Sequence, residues 1–535
     1  MNLIHSMGKQ ENESVHQYIY FICLLILALF LPVSRNMLSI AQIVIAANWL
    51  WEGQFREKYS RLKENRHALY LMLVFLVFSL GMLWTSNPMA TLYVSLVDKV
   101  PFLSLTLVVA TSRPLAKERI FSLLSVFGFA VLFTSLIGFV RSAIEPNPLL
   151  SNLSPFIHHI RFSVQLVMAI FLLPWIAFKM KYTGIVRSIF FLSALLMLAL
   201  MIYTGRLTAL FSFAAAVGFL LIREMVIPKG KTIRKILAGT ILLVSTAFVV
   251  GILVYTARPV FKKAPIPVIT GEERTRDGNP YWHDFENLSR ENGHLVFWFI
   301  AHEELRQAWK ERSSMNFGEP DNIGNTPLEG GIIRYLTSRG LPKDREGLEA
   351  LQDYEIRAIE NGVPNYLHNR WPTLIIRIHQ TFWEIQEYKR TGNPEGFSFA
   401  QRIELWKAAL AAISEKPVLG WGKGGVHHAV NFGLDNINSQ WQLRNIKPHN
   451  QYLLYLITLG VAGFVVVAFL MGSFIIRSGA TRFLPFNLML VILFSAMLGE
   501  DLLDFQEPIT FFLFFAVIFG IILRKQEAPD ALNKS

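Results

Sequence analysis

Long apolar stretches recur along the whole chain, and they constrain the fold more than any other feature. A helix needs about 20 apolar residues to cross the hydrocarbon core of a membrane. Of the 535 residues, 52% are hydrophobic and only 17% are charged, whereas soluble proteins carry roughly a quarter. The apolar stretches lie at residues 17–33, 37–51, 67–84, 92–110, 119–140, 156–178, 186–204, 207–222, 236–255, 450–476, 483–499 and 508–523. The sequence therefore predicts an all-α integral membrane protein with about 12 transmembrane helices.

The loops between these stretches alternate in charge. One set is rich in Lys and Arg, at 56–66, 113–119, 179–187, 223–235, 477–482 and 524–525. The other set is poor in them, at 34–36, 85–91, 142–155, 205–206 and 500–507. Because basic loops stay on the cytoplasmic side, this alternation predicts that both termini are cytoplasmic and that residues 256–448 lie outside.

The same pattern predicts the division of the chain. Helices 1–9 occupy residues 1–255, and a periplasmic domain, here called the insert, occupies 256–448. Helices 10–12 occupy 449–524, and a cytoplasmic tail occupies 525–535.

The insert is electrically neutral, with 24 Lys and Arg and 24 Asp and Glu. The net charge of +12 therefore belongs to the membrane part, which argues against a nucleic-acid partner. The single cysteine, Cys23, excludes intrachain disulfides, and it gives no support to a cysteine zinc cluster. Apolar residues at helical spacing predict helices at 295–312, 347–360, 373–390 and 400–415. We favour a buried core strip for the aromatic run at 296–300, and the alternative is a helix on the bilayer surface.

Charged residues at the ends of the spans are candidates for function, since each is costly at membrane depth. Arg161 lies near the outer end of the sixth span, three residues after His158, a spacing that puts both on one helical face. Arg206 lies in the outer turn before the eighth span. For Asp98 and Lys99 we favour a structural role, either snorkelling or pairing with a partner charge in the bundle. Arg161 and Arg206 remain candidates because both are expected on the outer side, facing the insert.

The most informative segment joins the insert to the tenth span. Its Gly-Trp-Gly-Lys-Gly-Gly run at 420–425 lacks the order of a phosphate-binding loop, and no strand precedes it. His449 follows, at the predicted membrane boundary. A single histidine is more often structural than catalytic, but Arg402 and Arg206 are expected nearby, and this raises the interest of His449.

The order of residues here resembles the signature of the O-antigen ligase and polymerase superfamily. The pattern is R-x-x-x-W, then K-P-x-x-G-x-G, then H-N-x-Y-L-x-x-L-x-x-x-G. It corresponds to Arg402, Trp406, Lys416, Pro417, Gly420, Gly422, His449, Asn450, Tyr452, Leu453, Leu456 and Gly460. The turn at Arg206 is similar to the family's SR-G element, although this chain has Leu207 where glycine is usual. The acidic turn at Glu500 and Asp501 also fits.

The resemblance implies a bacterial inner-membrane enzyme that works on the periplasmic side. Such enzymes transfer a glycan from undecaprenyl diphosphate to a hydroxyl group. Arg206 and Arg402 carry over as residues that bind the diphosphate, and Arg161 is a third candidate. His449 is implied as the base in a direct, inverting attack, and neighbouring arginines are expected to lower its pKa. Asn450, Trp406 and Glu500 are supporting candidates, and Asn450 fits equally well as a helix cap.

No cofactor or metal is expected, because the insert contains no D-x-D motif or dense carboxylate cluster. We favour an O-antigen ligase whose acceptor is the lipid A–core oligosaccharide. The alternatives are an O-antigen polymerase, a protein O-oligosaccharyltransferase, and a transporter of lipid-linked glycans. A transporter would carry charges along a central path, whereas the charges here gather at the outer ends of the spans.

Overall fold

The computed structural model describes residues 14–85, 96–144, 154–227, 230–269, 273–322 and 327–524. Within them the chain is mainly helical, as predicted, and strands β1 (Arg290–Glu291) and β2 (His294–Leu295) pair as an antiparallel hairpin. The predicted tail at 525–535 lies outside the described residues, as does the start of the fourth apolar stretch.

The helices before the insert match the first nine apolar stretches, with one polar helix, α3, added between the second and third. They are α1 (Val15–Phe30), α2 (Arg35–Glu52), α3 (Phe55–Glu64), α4 (Ala68–Leu80), α5 (Val100–Thr111), α6 (Lys117–Ile144), α7 (His159–Lys179), α8 (Gly184–Thr204), α9 (Leu207–Val226) and α10 (Thr232–Phe261). The end of α10 extends six residues beyond the predicted stretch.

The helices of the insert follow the segment that contains the β1–β2 hairpin. They are α11 (His302–Arg312), α12 (Leu328–Arg339), α13 (Arg345–Glu349), α14 (Asp353–Glu360), α15 (Thr373–Thr391), α16 (Ser398–Glu415) and α17 (Val426–Asn436). Trp309 of α11 and Tyr335 of α12 are fully buried in the centre of one hydrophobic core of the insert.

The last part of the chain forms three apolar helices. They are α18 (Gln451–Arg477), α19 (Leu484–Ala496) and α20 (Gln506–Val517), which continues as a π-helical turn at Ile518–Ile522. Six described helices are long and apolar enough to span a membrane, namely α18 and the five from α6 to α10, and further apolar helices are shorter. The number of spans and the side of each loop stay predictions.

The predicted helix at 295–312 is wrong in its first part. Residues 296–300 are not helical: Ile300 bridges to Trp282 and Lys343, and α11 begins only at His302. Val296 and Ile300 are buried in the core of the insert. The aromatic run is therefore a core strip, as favoured, and the surface-helix alternative is excluded. Alternation of buried residues resembles helical spacing over so short a run.

Burial differs sharply between helices of the bundle. All residues of α20 are buried, and Phe127 of α6 packs edge-on against Phe515 of α20, with ring centroids 5.3 Å apart. In contrast, α10 exposes apolar side chains such as Leu243 and Phe248 along most of its length. Apolar side chains that face away from the rest of the protein are typical of a helix that contacts lipid.

Candidate active site

His449 lies immediately before α18, and its backbone is strained. Its φ of 48° is in the left-handed region, which costs a residue with a side chain roughly 1–2 kcal/mol. Asn450 caps α18 and donates to the carbonyl of Leu498 at 3.0 Å. The N–H of Gln451 donates to the carbonyl of Met497 at 3.0 Å. The start of α18, and His449 with it, is therefore fixed to the segment after α19, and Asn450 is a helix cap.

Two buried carboxylates face the imidazole of His449. Its Nδ1 lies 3.4 Å from Oε1 of Glu500 and 3.6 Å from Oδ1 of Asp501. The side chain of His449 is 37% exposed, while those of Glu500 and Asp501 are 9% and 2% exposed. Neither Nδ1 of His449 nor Oδ1 of Asp501 has an aligned hydrogen-bond partner among the described residues. Buried polar atoms left in this state are costly, and they often mark a functional site.

The expected lowering of the His449 pKa is wrong. Burial and the charge of Arg402 do lower it, but the interaction with Glu500 and the charges of Asp501 and Glu500 outweigh them. The pKa of His449 is therefore raised above its ordinary value. The sequence motif leads us to expect the arginines near His449, but it does not show that Glu500 and Asp501 lie closer to it.

Each carboxylate responds differently to this environment. Burial raises the pKa of Asp501 to about 6. The charge of His449 acts to lower this pKa, but the charges of Glu500 and Asp504 oppose that effect. Burial also acts to raise the pKa of Glu500, but its interaction with His449 and the charge of Arg402 lower it on balance. Glu500 therefore stays ionised near neutral pH, and it is the nearer of the two carboxylates to Nδ1 of His449.

Arg402 and Trp406 are on one face of α16, one helical turn apart. Nε of Arg402 donates to the carbonyl of Gly499 at 3.3 Å, next to Glu500. The indole N–H of Trp406 is buried without a hydrogen-bond partner among the described residues. The structure therefore brings Arg402 to His449, as the sequence predicts.

Arg206 lies at the start of α9, in contact with the insert. A Cβ on the preceding Gly205, whose φ is 58°, would come within 3.3 Å of the backbone N of Leu374 in α15. This close approach puts Arg377 beside Arg206. Burial and the charge of Arg377 lower the pKa of Arg206, and burial lowers that of Arg377. Two half-buried cations side by side repel each other, while the charge of Glu384 acts in the opposite direction on the pKa of Arg377.

The start of α7 lies near both Arg206 and His449. His159 and Arg206 line the same small cavity, and His158 lies within electrostatic range of Glu500, His449 and Arg206. The helix begins only at His159, so His158 precedes it and does not share a helical face with Arg161 as expected. The rings of His158 and His159 are 4.4 Å apart instead.

Arg161 already has an anionic partner. Its Nη1 lies 3.3 Å from Oε2 of Glu507, and its guanidinium group stacks on Phe505 at 3.6 Å from the ring centroid. The side chain is only 17% exposed. This pairing holds Arg161 against the start of α20, and its role in binding the diphosphate stays a prediction.

Asp504, three residues after Asp501, forms ion pairs with three lysines. Nζ of Lys99 lies 3.1 Å from its Oδ1, Nζ of Lys447 lies 2.8 Å from its Oδ2, and Lys423 is also paired with Oδ1. Lys99 and Asp504 are almost fully buried. The structural role favoured for Lys99 is confirmed, and Asp98 likewise pairs with Arg35 at 2.5 Å.

The glycines of the motif allow the segment before α17 to pack on a kink in α18. Gly460 has a φ of 64° inside this helix, and a Cβ there would lie 2.1 Å from the carbonyl of Val418. A Cβ on Gly420 would likewise lie 2.5 Å from the carbonyl of Ile457. These glycines serve close backbone packing, which agrees with the prediction that the glycine run is not a phosphate loop.

His449, Glu500 and Asp501 are also the described group whose ligand atoms could hold a metal ion, since those atoms all lie within 4.8 Å of one another. The absence of carboxylate clusters from the insert therefore did not exclude such a group. It forms between the end of the insert and the turn before α20. The expectation of a metal-free reaction stays a prediction.

Residues 362–468 match the family model described as O-antigen ligase. The resemblance to the O-antigen ligase and polymerase superfamily is confirmed. A comparison with curated proteins gives no match. The match supports a membrane glycosyltransferase-type enzyme that acts on lipid-linked glycans, without separating a ligase from a polymerase.

The O-antigen ligase match covers α15, α16 and the first two-thirds of α18. It therefore includes Arg377, Arg402 and His449, while Arg206 and Glu500 lie outside it. Arg377 is the residue that the sequence analysis missed. Its signal is a single cation inside the apolar run Leu374–Ile378, where a lipid- or core-facing side chain is expected.

Proposed function

We propose that the protein is an O-antigen ligase. It transfers a glycan from undecaprenyl diphosphate to a hydroxyl group of the lipid A–core oligosaccharide on the periplasmic face of the bacterial inner membrane. The observation that carries this proposal is His449 between two buried carboxylates and Arg402, in a segment that matches the O-antigen ligase family.

His449 acts as the general base. Its Nδ1 faces Glu500, so a proton on Nδ1 is held by this carboxylate, and Nε2 is left to accept the proton of the acceptor hydroxyl. The hydroxyl oxygen attacks the anomeric carbon while the bond from that carbon to the diphosphate oxygen breaks. Undecaprenyl diphosphate leaves with the bonding electrons, and the proton stays on His449. One direct attack inverts the anomeric centre.

Arginines bind the leaving diphosphate. Arg206 and Arg377 form a pair of neighbouring cations, and Arg402 lies beside Glu500. Guanidinium groups suit this task because they bind phosphate oxygens in a bidentate manner and stay charged when buried. Arg161, which is paired with Glu507, contributes to packing around the site. The three arginines stabilise the charge that develops as the diphosphate departs.

The reaction needs no metal in this proposal. The partners are the lipid-linked donor, the lipid A–core acceptor and the surrounding membrane lipids. The insert lies on the periplasmic side, and both termini lie in the cytoplasm. The alternation of basic loops supports this topology, and the side of Val268 in the insert is testable by labelling of a cysteine introduced there.

A reconstituted system tests the acceptor. Purified protein in proteoliposomes receives the undecaprenyl-linked glycan together with lipid A–core. We expect a glycan–lipid A–core product. Longer undecaprenyl-linked chains in place of this product would indicate the polymerase, and a glycosylated Ser/Thr peptide would indicate the protein transferase. Movement of intact donor across the bilayer with no new glycosidic bond would indicate the transporter.

A further inference from the structure

The insert contains a cavity of about 390 Å³ that lies apart from His449 in the sequence. It opens between the segment that follows α10 and the end of α12. Its size is at the lower end of the range for small-molecule sites, which is roughly 300–1,000 Å³. Among the residues that line it, six carry the argument below: Glu273, Tyr281, His294, Trp298, Phe299 and Lys343.

Aromatic rings form much of the cavity wall. Tyr281 and Phe299 pack edge-to-face with centroids 5.7 Å apart, and Trp298 lies beside Phe299. Phe299 holds a φ of 58°, and its N–H donates to Nδ1 of His283 at 3.2 Å. Strained backbone of this kind is retained where the surrounding structure fixes a side chain for a purpose. Flat apolar ring faces beside polar groups match the C–H faces and hydroxyl edges of a sugar ring.

Lys343 supplies a donor in this wall. Its Nζ donates to the carbonyls of Leu295 and Trp298 at 3.0 and 2.7 Å, which uses two of its three N–H groups. In the described residues no carboxylate forms an ion pair with it. Burial lowers the pKa of Lys343 to about 8. A desolvated lysine without an ionic partner, in the wall of a cavity, is typical of a ligand site.

Residues that carry donors and acceptors line the cavity. Glu273 carries carboxylate oxygens, and Lys343 carries a third N–H beyond the two that bind carbonyls. Burial and the charges of Lys262, Lys343 and Arg290 lower the pKa of His294, so its imidazole is neutral and can donate and accept. An anionic ligand would meet Glu273, and a purely apolar one would leave these polar groups without partners. The hydroxyl groups of a ligand can donate to acceptors such as Glu273 and accept from donors such as Lys343.

We propose that this cavity binds a neutral sugar unit of a glycan. That the glycan belongs to the donor or to the acceptor rests on the proposed function, but the binding of sugar does not. The ring of the sugar lies on Phe299 and Trp298, and its hydroxyl groups bind Glu273, His294 and Lys343. The insert thereby holds a glycan at a second point, away from His449.

Saturation-transfer difference NMR on the full-length protein in nanodiscs tests this proposal. The probes are the free donor glycan, the dephosphorylated core oligosaccharide, inorganic phosphate and cyclohexanol. We expect saturation of ring protons of one of the two glycans, which identifies the source, and weaker or no binding of cyclohexanol and phosphate. Saturation of cyclohexanol alone, or of neither glycan, would overturn the proposal.

A matched pair of variants locates the signal. Ala264 lines the cavity, so Ala264→Trp fills it, whereas Val268→Trp adds the same ring to the same segment at a side chain that is 82% exposed. We expect at least a tenfold loss of glycan affinity in Ala264→Trp and none in Val268→Trp. Equal affinity in the two variants would show that the glycan binds elsewhere. Because no transfer is measured, this result is independent of the proposed function.

Discussion

Two polar clusters meet on the turn between α19 and α20, only a few residues apart, and they satisfy their charges very differently. Asp504 is surrounded by Lys99, Lys423 and Lys447, and all of these contacts are ion pairs. In contrast, Oδ1 of Asp501 and Nδ1 of His449 are buried without an aligned hydrogen bond among the described residues. The group around Asp504 is called the saturated cluster below, because its charges are paired. The group of His449, Glu500 and Asp501 is called the unsaturated cluster.

The comparison distinguishes a cluster that stabilises the structure from one that is proposed to take part in the reaction. A buried carboxylate with several cations stays ionised and holds the chain in place, and burial of Asp504 is outweighed by its lysines so that its pKa is well below the usual range. Burial instead raises the pKa of Asp501 to about 6. Because Lys447 is two residues before His449, the saturated cluster also anchors the strained segment that carries the base.

The largest expected effect is on the unsaturated cluster. His449→Ala removes the proposed base, and transfer should fall about 10²–10⁴-fold. His427→Ala is the control, since His427 is an exposed histidine on α17, and it should transfer at the wild-type rate. Both variants are compared in the reconstituted assay at equal amounts of inserted protein. Equal rates for the two variants would remove His449 from the mechanism.

The saturated cluster should show its effect in stability. Asp504→Asn leaves three buried or half-buried lysines without their carboxylate, which should cost about 3–5 kcal/mol of stability. Asp501→Asn removes a carboxylate that is poorly satisfied, and it should change stability little while it lowers activity. Thermal unfolding in detergent, followed by intrinsic fluorescence, measures both. A larger loss of stability in Asp501→Asn would reverse the assignment of the two clusters.

The arginines extend the comparison. Arg377→Ala should weaken binding of undecaprenyl diphosphate roughly 10–100-fold, as expected for the loss of hydrogen bonds to a charged group. Arg161→Ala should weaken it less, because Arg161 is already paired with Glu507. Binding to nanodisc-embedded protein gives both affinities. If Arg161→Ala had the larger effect, the ion pair with Glu507 would not exclude Arg161 from the diphosphate site.

The pH dependence tests the carboxylate beside the base. A base is active when deprotonated, so transfer should rise with pH through a pKa above the ordinary value for histidine, since Glu500 and Asp501 raise that of His449. Glu500→Gln removes one of these charges and should shift the rise to lower pH. Glu507→Gln, in the same turn but paired with Arg161, should leave it in place. A shift to higher pH in Glu500→Gln would contradict this sign.

The smallest expected effect is that of chelation. EDTA should leave transfer unchanged, because His449 is proposed to act as a base and not as a metal ligand. His449, Glu500 and Asp501 could together hold an ion, so this is a real test. Loss of activity on chelation, restored by one divalent cation, would replace the metal-free mechanism.

Much of the fold follows from local properties of the sequence. Each of the twelve apolar stretches contains a helix because apolar length and composition determine it. The non-helical run at 296–300 could not be predicted in the same way. Its core partners, such as Trp309 and Leu336, come from helices further along the chain, and a short pattern of buried residues fits a strand and a helix alike.

The site was predictable where a motif lies within one segment, as at Arg402 and His449. Asp501 and Arg377 were not assigned because their importance arises from contacts between distant segments. Asp501 reaches His449 across 52 residues of chain, and Arg377 reaches Arg206 through the packing of α15 against Gly205. The sign of the His449 pKa shift depends on distances that spacing along the chain does not give.

The stereochemistry of a single transfer tests the central claim most directly. Purified protein is mixed with a donor of known anomeric configuration and lipid A–core, and the new glycosidic bond is examined by NMR. Direct attack by a hydroxyl group activated by His449 predicts an inverted anomeric centre. A retained configuration would contradict the account, because it would require a covalent glycosyl–enzyme intermediate and a nucleophile in place of a base.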